Sequence, residues 1–123
     1  MSRILVVDDE PSLLDVLAAL LTDEGYQVQT ARDGQVALDL IAEALPDLLI
    51  TDVMMPVLDG WRLLAAVRER TPALPVIVIS AVDRPEVRQR EFFITDHTVF
   101  LRKPFHVEAL LTLVERLLGF QPG

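Results

Sequence analysis

Three carboxylates and one ammonium stand at the ends of apolar runs in this chain. Asp8 and Asp9 follow Arg3-Ile4-Leu5-Val6-Val7, Asp52 closes Asp47-Leu48-Leu49-Ile50-Thr51, and Lys103 follows Val99-Phe100-Leu101. A further run, Val76-Ile77-Val78-Ile79, ends on the hydroxyl of Ser80. Converging carboxylates repel one another unless a cation neutralises them. Hard oxygen donors with no His or Cys nearby in sequence suit Mg2+ or Mn2+ rather than zinc. Mg2+ takes one or two protein carboxylates and leaves a position for a phosphate oxygen. A metal, an ammonium, a hydroxyl and loop amides around one carboxylate match the charge on phosphoryl oxygens. With that support Asp52 is a candidate nucleophile, forming an aspartyl-phosphate. Each residue alone has a plainer reading: Asp8-Asp9-Glu10 favouring a helix dipole, Asp52 opening a turn, Ser80 a loop residue, Lys103 an exposed charge. Together, at successive strand ends, they point to one site.

For these residues to meet, the apolar runs must be parallel strands whose C-terminal ends share one edge. Helical spacing fills the gaps between them. Ser12 to Glu24 carries Leu13, Leu14, Val16, Leu17, Leu20 and Leu21, with Gly25 placed as a C-terminal cap. Tyr26 to Thr30 alternates like an edge strand, and Asp33 is a candidate N-cap for a helix through Val36, Ala37, Leu40, Ile41 and Ala44. Asp59-Gly60 starts a helix to about Arg70, and Val107 to Leu118 forms the last one. Strand and helix alternate five times, and crossovers are right-handed. The expectation is an α/β fold: a three-layer, doubly wound, five-stranded parallel sheet, order 2-1-3-4-5, flavodoxin-like. The first, third and fourth strands are apolar on both faces and so central; the second and fifth lie at the edges.

At 123 residues the chain is long enough for one independent core. A net charge of −8 argues against direct binding to nucleic acid or an anionic membrane. There is no cysteine, which excludes disulfides and thiolate metal sites and is compatible with a reducing cytoplasm. The apolar run at the N-terminus is too short for a signal peptide, and no run approaches the ~20 residues of a membrane span. The expected localisation is cytoplasmic.

Val6-Val7-Asp8-Asp9-Glu10, Thr51-Asp52-Val53-Met54-Met55-Pro56 with Asp59-Gly60, Ser80-Ala81 and Lys103-Pro104-Phe105 resemble the receiver domain of bacterial two-component response regulators. The resemblance runs from residue 3 to 118 in matching order and spacing. It implies that Asp52 is the phosphoacceptor, that Asp9 ligates the metal directly and that Asp8 assists through water. It implies that the Met54 carbonyl completes the protein's share of the metal shell. Lys103 matches the residue pairing with the phosphoryl group, Ser80 the hydroxyl that moves towards it, and Phe100 the aromatic that follows. The implied phosphodonor is a phosphohistidine on a sensor histidine kinase or phosphotransfer protein. The implied output is a downstream effector, or self-dimerisation, through the face of the fourth helix, fifth strand and fifth helix. Residues 1–118 would form the receiver and 119–123 a tail or linker stump. The protein would be no enzyme in its own right, but a phosphoacceptor assisting its own phosphorylation and dephosphorylation.

Two other readings stand beside this one. A pseudo-receiver would keep the fold without being phosphorylated, although nothing structural demands the whole set Asp8, Asp9, Asp52, Ser80 and Lys103. A Mg2+-dependent phosphatase with an aspartyl nucleophile needs a second acid two positions later, where this chain has Met54. Three local expectations complete the reading. Lys103-Pro104 is cis, as the family resemblance implies. Apolar Met54 and Val82 cannot hold a hydrolytic water, so the acyl phosphate decays slowly. The segment from Pro85 lacks an apolar stripe, and no Gly precedes the fifth strand. It should give a short or frayed fourth helix and a polar loop at Thr95 to Thr98.

Overall fold

The computed structural model describes residues 2–53, 55, 57–81, 92–95 and 97–119. Its strands are β1 (Arg3–Val7), β2 (Gln27–Ala31), β3 (Leu48–Asp52), β4 (Val76–Ser80), β5 (Phe92–Thr95) and β6 (Thr98–Arg102). Its helices are α1 (Pro11–Asp23), α2 (Gly34–Glu43), α3 (Gly60–Arg70) and α4 (Val107–Leu118).

Five strands are parallel, in spatial order β2-β1-β3-β4-β6. Counting the parallel strands alone, this is the expected doubly wound order 2-1-3-4-5. β3 and β4 are buried at every position, as strands covered on both faces must be. β2 is mostly exposed and lies at an edge. Alternate residues feed two cores. Ile4, Val6, Ile50, Ile77 and Leu101 pack with Leu17 and Leu21 of α1 and Leu110 and Val114 of α4. Leu5, Val7, Leu49, Val76 and Val78 pack with Ala37 and Ile41 of α2 and Leu63 and Val67 of α3.

Local chemistry sets the helix ends. The Asp33 carboxylate accepts from the Val36 N–H at 2.9 Å, and the Asp59 carboxylate from the Arg62 N–H at 2.9 Å. Gly25 closes α1 with a φ of 97°, where a side chain would be strained. Arg68 near the end of α3 donates to the Leu74 carbonyl at 2.6 Å and the Thr98 hydroxyl at 2.7 Å, tying α3 to the start of β6. No helix among the described residues is long and apolar enough to cross a membrane.

The far edge corrects two expectations. The fifth parallel strand, β6, is not an edge: β5 pairs with it antiparallel, Phe93 opposite Phe100 and Thr95 opposite Thr98. The polar loop expected at Thr95 to Thr98 is therefore two paired strand residues with a two-residue connection between them. Phe92-Phe93-Ile94-Thr95 is rich in aromatic and β-branched residues, which suit a pleated strand better than a helix. His97, with φ 65°, turns the chain tightly enough to close the hairpin. The fourth helix expected from Pro85 falls on residues 82–91, outside the described residues.

Candidate functional site

Parallel strands deliver their C-terminal ends to one edge, and ladder bonds carry that order into the loops. The Asp8 N–H donates to Ala31, the Val53 N–H to Ile79 and the Lys103 N–H to Ser80, at 3.1, 3.2 and 2.9 Å. Register places Val7 beside Thr51, Asp52 beside Ile79 and Ser80 beside Arg102. The turns after β1, β3, β4 and β6 are thus held next to one another.

The carboxylates of Asp8, Asp9 and Asp52 converge, with one oxygen of each within 4.8 Å of the others. Asp8 and Asp52 are buried, at 3% and 7% exposure, whereas Asp9 is exposed. The Lys103 ammonium donates to Asp52 Oδ2 at 2.9 Å and lies 3.9 Å from Asp8 Oδ2. The peptide between Lys103 and Pro104 is cis, as expected. Asp8 Oδ1 accepts from the Glu10 N–H at 2.9 Å.

Among the described residues three carboxylates face one ammonium, which leaves the cluster short of positive charge, and Asp8 registers it. Its pKa is pushed up to about 6, first by burial, with the charges of Asp52 and Asp9 adding to it. The Glu10 N–H and Lys103 pull the other way without cancelling the rise. Burial lowers the Lys103 pKa, but the hydrogen bond and charge of Asp52 outweigh it, helped by Asp8 and Glu10. The net shift is upward, so the ammonium stays charged. An all-oxygen cluster with surplus negative charge fits a hard divalent cation such as Mg2+.

Behind Asp52 the contacts are steric. The Gly60 N–H donates to the Val53 carbonyl at 2.9 Å, and a Cβ on Gly60 would collide with the Asp52 carbonyl oxygen. That same oxygen accepts from the Thr51 hydroxyl at 2.9 Å. One residue on, the Trp61 ring lies 5.7 Å from the Phe100 ring, tilted by 37°. Phe100 is half-buried against the core under α2 and α3.

The family model for the response regulator receiver domain matches residues 4–115. The chain belongs to that family. The response regulator MprA of Mycolicibacterium vanbaalenii is 41% identical to this receiver over 116 residues, 94% of this chain and 50% of the relative. The chain thus spans about half the length of the curated relatives it matches. The receiver domain of the Francisella response regulator 1452 superposes with a TM-score of 0.84 at 30% identity, covering 96% of this chain and 97% of that one. Response regulator TrrA of Thermotoga maritima, solved with Mg2+-BeF, superposes with a TM-score of 0.78 at 30% identity, covering 95% and 99%.

In this receiver Asp8, Asp9, Asp52 and Lys103 come together as the sequence pattern required. Ser80 ends β4 one residue beyond Asp52's register partner and is buried. Phe100 sits on β6 away from the charges, towards α3. Met54 and Val82 fall outside the described residues. Two contributors escaped the sequence reading. Glu10 acts through its backbone N–H, which no side-chain pattern reveals. Gly60 acts by lacking a side chain, and its only signal was the Asp-Gly pair already read as a helix start.

Proposed function

We propose that this receiver accepts a phosphoryl group on Asp52 from a phosphohistidine of a sensor histidine kinase or phosphotransfer protein, with Mg2+ bound. The observation that carries the proposal is the contact of the Lys103 ammonium with a buried Asp52 carboxylate inside a cluster of three acids. A carboxylate oxygen of Asp52 attacks phosphorus as the phosphorus–nitrogen bond breaks. An acyl phosphate forms, the bonding pair returns to the ring nitrogen, and the imidazole, already protonated on its other nitrogen, departs neutral. The Lys103 ammonium pairs with phosphoryl oxygens and with the charge that develops on them. Asp8, Asp9 and Asp52 would hold the metal, joined by the Met54 carbonyl that the family resemblance implies. Mg2+ supplies charge neutralisation for the approaching phosphoryl oxygens.

Ser80 then donates its hydroxyl to the phosphoryl group, and Phe100 follows on the neighbouring strand, altering the surface that an effector or a second receiver reads. The solved complex of TrrA with Mg2+-BeF supports such a site in a relative of this fold. The receiver takes up one phosphoryl group per molecule and is not an enzyme turning over a substrate; its partners place it in the cytoplasm. The test is mass spectrometry after incubation with acetyl phosphate and Mg2+. The parent gains one phosphoryl group, and Asp52→Asn, which keeps the shape and removes the nucleophile, gains none. Full labelling of Asp52→Asn, or an unlabelled parent, sinks the assignment.

A further inference from the structure

The two helices on one face of the sheet, α2 and α3, begin with the same dipeptide, Asp33-Gly34 and Asp59-Gly60. In each, the Asp caps its own helix. The glycines serve a different end. Neither has a left-handed φ, so backbone freedom does not explain them. Space does. A Cβ on Gly34 would lie 2.5 Å from the Leu58 carbonyl oxygen, 2.9 Å from Leu58 Cβ and 3.0 Å from its Cδ2. A Cβ on Gly60 would collide with the Asp52 carbonyl oxygen and lie 2.8 Å from Val53 Cα. So α2 bears on Leu58, the residue before the cap of α3, and α3 bears on the backbone of Asp52.

We infer that Gly34 is a positioning residue for the Asp52 carboxylate, fixing it through Leu58 and Gly60 rather than by touching it. Its consequence for phosphorylation rests on Asp52 being the acceptor; its consequence for the backbone does not. A methyl at Gly34 forces something to move, because a carbon does not rest 2.5 Å from a carbonyl oxygen. The helix is the stiffer partner, since Ala37 and Ile41 anchor α2 in the core. The loop is softer: Leu58 is half-buried and its neighbour Val57 is 77% exposed. Displacement of Leu58 passes on because the next residues are tied, Asp59 to the Arg62 N–H and Gly60 to the Val53 carbonyl. A misplacement on the order of 1 Å at a reacting group costs up to about a hundredfold in rate.

Helix propensity alone predicts the opposite, since Ala is a better helix former than Gly. The experiment compares Gly34→Ala with Gly25→Ala. Gly25 has a φ of 97° and nothing within 4 Å of its Cβ position, so alanine there strains the chain at the end of α1, in a different connection. Two readings are taken on each folded variant: amide resonances of Asp52, Val53 and Gly60 without metal, and the rate of labelling by acetyl phosphate with Mg2+. Gly34→Ala should shift those resonances and slow labelling on the order of tenfold. Gly25→Ala should lose stability while doing neither. Resonance changes confined to α2 and Leu58, with labelling at the parent rate, mean that the helix gives way, and they overturn the inference. An unlabelled parent removes Asp52 as acceptor but leaves the resonances to decide the positioning. If Gly34→Ala does not fold, Leu58→Ala decides. It deletes Cδ2 without adding bulk, and unchanged resonances at Val53 and Gly60 overturn the inference.

Discussion

Asp52 has two unlike neighbourhoods, one around its carboxylate and one around its backbone carbonyl. Towards the turns after β1 and β6 it meets charge: Asp8, Asp9 and the Lys103 ammonium. Towards the turn after β3 its backbone is packed: a Cβ on Gly60 would collide with its carbonyl oxygen, which accepts from the Thr51 hydroxyl, and the Gly60 N–H is tied to the Val53 carbonyl. The helices behind the two sides differ in the same way. α2 and α3 start on aspartates whose side chains cap them, whereas α1 and α4 start at Glu10 and His106 without a side-chain cap bond. The packed side confines the backbone of Asp52. The charged side lies among less constrained helix starts and is left short of positive charge, so its energy depends on what binds.

The largest effect should come from removing Lys103, the one cation at the carboxylates among the described residues. Lys103→Ala should slow labelling by acetyl phosphate on the order of 10²-fold, the usual loss when one preorganised donor to a developing charge is removed. The same variant should bind Mg2+ more tightly, because the ammonium no longer competes for Asp8 and Asp52. Titration of Mg2+ by Trp61 fluorescence checks this, and a weaker Mg2+ affinity would count against a shared site. Lys103→Arg should rescue little, since a planar fork does not replace a compact ammonium.

A smaller effect concerns Asp8 in the metal-free protein. Its folded pKa of about 6 lies above the ordinary value of 3.8, so the folded state holds this proton more tightly than the unfolded state does. Below about pH 4 both states are protonated and there is no penalty. As pH rises from about 4 to about 6 the unfolded chain loses the proton first, and stability falls. The measurement is the difference between the parent and Asp8→Asn, which cancels everything the two proteins share. In chelator, the variant should gain on the parent across that window, on the order of 1–2 kcal/mol after allowing for solvent screening. Added Mg2+ should stabilise the parent at pH 7 and lose its effect as pH falls through 6. A difference independent of pH would mean that Asp8 is not strained by its surroundings.

The charged side was the legible one. Asp8, Asp52, Ser80 and Lys103 each end a run of apolar residues, so once the strands are parallel their meeting follows from chain direction. The packed side was only half legible. Asp33 and Asp59 could be read as caps because a cap acts on residues two or three ahead. The approach of Gly34 to Leu58 joins residues far apart in sequence, and no local pattern marks it. Arg68 reads as a surface charge at the end of a helix, yet its guanidinium spans to Thr98. At the sheet edge the reading failed for a related reason. The expectation of a frayed helix and a polar loop before the fifth strand leaves out the β6 backbone, which offers Phe92 to Thr95 a ladder to pair with. The aromatic and β-branched residues of that segment already suit a strand, and pairing supplies the ladder that no local pattern shows.

The smallest effect sits at the tip of the packed side. Val57, in the β3–α3 loop, adopts a φ of 68°, a region that β-branched residues avoid. It is 77% exposed, so it makes little contact that would offset the strain. Val57→Gly removes the clash between Cβ and backbone, worth about 1–2 kcal/mol, and adds about 0.5–1 kcal/mol of unfolded-chain entropy. The net should be a gain of about 0.5–1 kcal/mol in thermal or denaturant unfolding. The same change at Val16, exposed within α1, should instead destabilise by about 0.5–1 kcal/mol, since glycine is a poor helix residue. If the packed side is rigid because Gly34, Leu58, Gly60 and Asp52 bear on one another, relief at Val57 should leave the labelling rate unchanged. A stabilised Val57→Gly protein that labels markedly faster or slower would show that the tip of the loop, and not the glycine contacts beneath it, sets the position of Asp52.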